Sequence, residues 1–196
     1  MNRLYFLLVL VLAISCSDKE EVAPPAPPSH PAMKYTELNG REVNFTQSQV
    51  LDVDNDGVND FVFYVLPIGD PIFKQDKMRF LLGSLEHTLL FVDGTDNSSP
   101  ILNKGAAISI SNQLPFEWWE VSEVFLAEKI TENDNSFHWE GAWKNASHQY
   151  ISIQVKKNNL RYNGWVELSF DTAGQKLLLH KSGISLVGER EVKAGF

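Results

Sequence analysis

Between Leu51 and Phe63 the chain reads LDVDNDGVNDFVF, so Asp52, Asp54, Asp56 and Asp60 occupy positions 1, 3, 5 and 9 of a loop whose position 6 is Gly57. A hard cation such as Ca²⁺ needs six to eight oxygens at about 2.3–2.6 Å, and this spacing wraps alternate side chains around one point. Gly57 permits the sharp turn, and the carbonyl of Val58 at position 7 offers a backbone oxygen. Four carboxylates crowded into one short loop repel one another unless a cation lies between them. The expected site is therefore a structural calcium centre of Asp52, Asp54, Asp56, Asp60 and the Val58 carbonyl. The helix–loop–helix form of such a loop is disfavoured, because position 12 is Phe63 instead of a bidentate Glu and the flanking residues alternate like strands.

Other chemistry is thinly represented. There is no GxSxG elbow, HExxH pair, Walker loop or GxGxxG turn. His30, His87, His138, His148 and His180 are scattered, and no catalytic residue is assigned; the chain reads as a non-enzyme. A hydrolase built on two facing carboxylates is the alternative that sequence spacing does not address. Trp118-Trp119, flanked by Glu117 and Glu120, is the best candidate for a ligand platform, since sugar faces stack on exposed indoles. Neighbouring strand residues point to opposite faces, so at most one of the pair lines a given platform.

The elements that must hold these residues follow from periodicity. Ile151, Ile153 and Val155 alternate with Ser152, Gln154 and Lys156, and Val166, Leu168 and Phe170 alternate with Glu167 and Ser169. Such period-two patterns read as half-buried strands. Lys157-Asn158-Asn159 and Asp171-Thr172-Ala173-Gly174 separate them from each other and from a third strand at Lys176–His180, giving an antiparallel meander. Further strands are expected at Tyr35–Leu38, Phe61–Leu66, Arg79–Leu82, Thr88–Val92, Ala107–Ser111, Phe137–Trp143 and Glu191–Ala194. One short helix is expected within Phe116–Ile130, where Trp118, Val121 and Phe125 fall at helical spacing. Many short strands on one chain predict an all-β antiparallel sandwich, of jelly-roll or immunoglobulin-like kind, over residues 34–196.

The N-terminal region sets the compartment. Asn2-Arg3 precede an apolar run from Leu4 to Ile14, too short to span a bilayer, and Ala13-Ile14-Ser15 lead to Cys16, the chain's one cysteine. This junction resembles the lipobox of bacterial lipoproteins, which implies a signal peptide over 1–15 and Cys16 as an acylated mature N-terminus. Ser17-Asp18-Lys19-Glu20-Glu21 resembles the surface-export tag of Bacteroidota lipoproteins. Residues 16–33 form an acidic and proline-rich tether, VAPPAPPSHP at its end, that favours extended polyproline II. The expected location is the outer membrane or cell surface, with the membrane as partner through the lipid.

With 17 Lys+Arg against 25 Asp+Glu the net charge is -8, which argues against nucleic acid as a partner. The Asp-rich loop is similar to the strand-borne calcium loops of FG-GAP-type and related extracellular β-proteins. Together with Tyr162-Asn163-Gly164-Trp165 and the terminal Val192-Lys193-Ala194-Gly195, it resembles a pattern of secreted bacterial β-sandwich proteins, with Asn163 interrupting the usual Tyr-Gly-Trp. That resemblance implies an exported, non-enzymatic sandwich. A surface binding or interaction module, with a glycan or an envelope protein as partner, is the functional expectation.

Overall fold

The alternating segments pair into sheets as their patterns require. In a computed structural model that describes residues 30–196, the strands are β1 (Met33–Val43), β2 (Gln49–Leu51), β3 (Phe61–Asp70), β4 (Gln75–Ser84), β5 (Thr88–Asp93), β6 (Ala107–Ile108), β7 (Phe116–Glu120), β8 (Glu123–Thr131), β9 (Phe137–Glu140), β10 (Gln149–Lys157), β11 (Leu160–Asp171), β12 (Lys176–Ser185) and β13 (Val192–Lys193). The signal peptide, Cys16 and nearly all of the tether lie outside the described residues. The folded part begins slightly ahead of the expected boundary, with Pro31 buried, the Ala32 carbonyl accepting from Leu186 N at 2.8 Å and β1 starting at Met33.

Two antiparallel sheets face each other, one in the order β1-β12-β11-β10-β5-β7 and the other β2-β3-β4-β8-β9. The fold is thus an all-β antiparallel sandwich. Between the sheets lies the main core, in which Phe61, Phe63, Phe80, Leu90, Ile151, Ile153, Val166, Leu168 and Leu177 are buried together. Phe80 packs edge-on to Phe170 with ring centroids 4.8 Å apart. The meander β10-β11-β12 forms as expected, and its first turn holds Asn158 and Asn159 at φ 52° and 61°. Both angles are left-handed, which suits a two-residue hairpin whose twist matches its strands.

Two sequence expectations are corrected. Phe116–Ile130 holds β7 and β8 instead of a helix, and the described helical structure is a 3-10 turn at Ala142–Asn145. The Trp118–Val121–Phe125 spacing spans the connection between the strands, where Val121 is exposed with φ 48°, and is not one buried face. Within β8, Phe80 pairs with Ala127 and Leu81 with Phe125, so Leu126 is an extra, bulged residue and Val124, Leu126 and Ala127 are all buried, which breaks the alternation.

The second correction concerns β10 and β11, which are buried on both faces and not half-buried. Their outer face is covered by the segment 99–115 and the C-terminal segment 186–196, joined through the short β6–β13 pair. Beneath this cover Ile108, Tyr150, Trp165, Val192 and Ala194 form a second, smaller core. Trp165 fits because Gly183 lies opposite it, where a Cβ would stand 2.7 Å from the indole. Its Nε1–H donates to the carbonyl of Phe196 at 3.1 Å, so the Tyr-Asn-Gly-Trp strand and the terminal Val-Lys-Ala-Gly run meet in one packed unit.

Candidate metal centre

The Asp-rich loop connects β2 to β3 and is held by both. Asp60 N donates to the Leu51 carbonyl at 2.8 Å, and Leu51 pairs with Phe61. Val53, in the middle of the loop, is buried in the main core, and its amide donates to Asp60 Oδ2 at 2.7 Å. The loop turns through Asn55 and Gly57, both with positive φ. Further amides fix the carboxylates: Gly57 N donates to Asp52 Oδ2 at 2.9 Å, and Asp56 N to Asp54 Oδ1 at 3.1 Å.

This folding brings oxygens of Asp52, Asp54 and Asp60 within 4.8 Å of one another. Ligands at about 2.3–2.6 Å from a common ion lie up to about 5 Å apart, so the three fit around one calcium. Asp60 is only 5% exposed. Burial pushes its carboxyl up to about 6, and the charges of Asp54, Asp52 and Asp56 add to the effect, against the opposing bond from Val53. An anion buried beside other anions is an unfavourable arrangement that a divalent cation would relieve.

Asp56 does not point at the other three. Its Oδ1 accepts from Val58 N at 2.9 Å, and its Oδ2 accepts from Lys157 Nζ at 2.9 Å. The Lys157 bond is the main cause that holds the Asp56 carboxyl below its ordinary range. Lys157 also reaches Asp54 Oδ2 at 3.1 Å, and its bonds to Asp56 and Asp54 hold the ammonium above the usual lysine range. Lys34 Nζ donates to the Asp54 carbonyl at 2.6 Å. Sequence reasoning missed both lysines. No local signal marks Lys157, which stands 101 residues from Asp56 and arrives through the β10–β11 turn.

The other candidates separate. Trp118 lies on the outer face of β7, with its ring 4.9 Å from that of Phe91, and its Nε1–H donates to the Ser109 carbonyl at 3.1 Å. Trp119 points the other way and is 48% exposed, with Nε1 3.3 Å from Glu117 Oε2. Trp143 and Trp165 are fully buried and Trp139 packs on the main core. The acidic groove between the β3–β4 and β8–β9 turns, about 420 Å³, contains Asp70, Asp76 and Glu132. Two of these have structural partners: Asp70 Oδ1 accepts from Ile72 N and Phe73 N, both at 3.1 Å, and Glu132 accepts from Gln75 Nε2 at 2.9 Å.

Comparison of this chain with known protein families, with characterised proteins and with solved structures returned no match.

Proposed function

We propose that this chain is a lipid-anchored protein of the bacterial envelope whose β-sandwich is a calcium-stabilised binding or interaction module and not a catalyst. The observation that carries the calcium part is the convergence of Asp52, Asp54 and Asp60, with Asp60 buried at the base of the loop. Asp56 and the Val58 carbonyl complete the set when Lys157 swings away, since an ammonium and a divalent ion compete for the same oxygens. The role is stabilising: the loop is continuous with β3, and both Val53 and Phe61 are anchored in the main core. The non-enzymatic reading rests on the structural occupation of Asp70 and Glu132 and on the absence of a catalytic motif in the sequence.

An extracytoplasmic loop of this kind requires an affinity of only about 10⁻⁴ to 10⁻³ M. Binding to the folded state alone then adds about 1.4 kcal/mol at a tenfold excess of calcium over Kd. Melting in EGTA and in millimolar calcium is expected to differ by a few degrees. The Asp60→Asn variant is expected to lose that difference. Identical melting temperatures in wild type, with no heat on calcium titration, would reduce the loop to an Asp-rich turn. The anchor is tested separately by labelling with a clickable fatty acid in wild type and Cys16→Ala, where label persisting in the variant rejects Cys16 as the acylated residue.

A further inference from the structure

Under the outer cover, between the segment 100–116 and strands β5, β7 and β10, lies a cavity of about 300 Å³. Its walls are mostly apolar and include three aromatic rings. Phe91 and Trp118 face each other across the β5–β7 pair, and the Phe116 ring is 5.8 Å from Phe91. Leu102 and Ile108 contribute from the cover, and among the described residues no lining residue carries a charge. The indole of Trp118 is fixed by its bond to the Ser109 carbonyl, and its amide by Asn112 Oδ1 at 3.0 Å, so this wall is set before any ligand arrives.

Three polar side chains, Ser109, Gln113 and Ser152, interrupt the apolar lining, and of these Ser152 is the buried one. Ser152 is 1% exposed, it lines the cavity, and its hydroxyl has no hydrogen-bond partner among the described residues. A buried hydroxyl is ordinarily bonded, so a lone one at the wall of an apolar space marks where a polar atom belongs. The volume falls at the lower end of small-molecule pockets, which combine apolar walls with a few placed polar groups.

We propose that this cavity binds a small uncharged aromatic compound, its ring against Phe91, Phe116 and Trp118 and its one hydrogen-bonding group on Ser152. Aromatic walls favour a flat ring through offset and edge contacts. The uncharged lining excludes an ionised ligand, because a charge there would be desolvated without a partner. The site is separate from the Asp-rich loop, so the proposal stands whether or not calcium binds.

The test uses 1-naphthol and its hydroxyl-free analogue 1-methylnaphthalene as probes on the full chain, followed by saturation-transfer NMR and titration calorimetry. Saturable one-site binding of both is expected. Ser152→Ala, which removes a hydroxyl without partners and leaves the fold intact, should weaken 1-naphthol about fivefold, the weight of one hydrogen bond, and leave 1-methylnaphthalene unchanged. Ala107→Phe, at an exposed position on the rim, should abolish binding of both. The proposal is overturned by non-saturable binding, by binding that survives in a folded Ala107→Phe variant, or by equal affinities of wild type and Ser152→Ala for 1-naphthol. If Ala107→Phe does not fold, the two-probe comparison in Ser152→Ala decides alone.

Discussion

The inner and outer faces of the six-stranded sheet are buried by different means. The inner face meets a second sheet, and its side chains are almost wholly apolar: Leu90, Ile151, Ile153, Val166 and Leu168. The outer face meets two loop-rich segments and hides Ser152, Gln154 and Asn163 together with Trp165. Asn163 shows how the second arrangement is held. Its Nδ2 donates to the carbonyls of Ile108 at 2.9 Å and Arg190 at 3.1 Å, one from each covering segment, and its Oδ1 accepts from Gln154 Nε2 at 2.8 Å. A sheet packed on a sheet is held by area, which is non-directional. A cover made of loops carries backbone groups that must be paired, so polar side chains on the sheet pin it in register.

The sharpest way to separate the two is to remove one residue from each. Phe80→Ala deletes a ring that touches Phe170 and Trp139 in the main core, and is expected to cost about 3–5 kcal/mol in urea denaturation. Because the main core joins both sheets, that loss should be global. Asn163→Ala strands the Ile108 carbonyl and the Gln154 amide and is expected to cost about 2–3 kcal/mol. Its loss should be uneven: hydrogen exchange should speed up at Ile108, Val192 and Ala194 well before it does in β3 or β8. Uniform acceleration across both sheets in Asn163→Ala would show that the cover and the main core open as one unit.

The same difference explains what could be read from the chain alone. The inner face was legible because Ile151, Ile153 and Val155 alternate and because Asn158-Asn159 suits a tight turn. The outer face was not, since Ser152, Gln154 and Asn163 look like solvent-facing residues until the cover is placed over them. Periodicity reports which face is apolar and is silent about a polar face that is buried. β8 was misread for a related reason, its bulge at Leu126 burying neighbouring residues. Within the site, Asp52, Asp54 and Asp60 were visible because their spacing is local. Lys157 and Lys34 come from segments far from the loop in the chain, and local spacing carries no trace of them, while of the cavity the sequence marked only Trp118.

Lys157 is the meeting point of the two regions, standing at the end of β10 while its ammonium lies in the Asp-rich loop of the other sheet. It partly neutralises Asp54 and Asp56, and under the proposed function a calcium ion would compete with it for the same oxygens. Lys157→Gln is therefore expected to lower the melting temperature in EGTA slightly and to tighten calcium on the order of a few-fold, the modest size reflecting an exposed pair. Calorimetry reads the second effect directly. An unchanged calcium affinity would mean that Lys157 and the ion do not compete.

The smallest expected effect lies on the outer face of β11 and β12, at a cluster of His148, His180, Glu167 and Ser169. The two imidazoles stack with centroids 4.2 Å apart, His148 Nδ1 lies 2.6 Å from Glu167 Oε1, and His180 Nε2 is 2.8 Å from Ser169 Oγ. Burial lowers the His180 pKa, the charge of His148 lowers it further, and Glu167 opposes both. A histidine whose folded pKa lies below its unfolded value of about 6.5 takes up its proton more readily in the unfolded chain. Stability contributed by neutral His180 is thus present in full above that pH and declines as the pH falls through it toward the folded value. Asp60 acts in the opposite sense in metal-free protein, since its carboxyl at about 6 keeps a proton that the unfolded chain has released. The difference between wild type and His180→Gln, both melted in EGTA from pH 7.5 to 5, isolates the histidine. The variant is expected to lose less than wild type over that range. Parallel curves would show that His180 titrates alike in the folded and unfolded chains, and that this stretch of the outer face is as open to water as an ordinary surface.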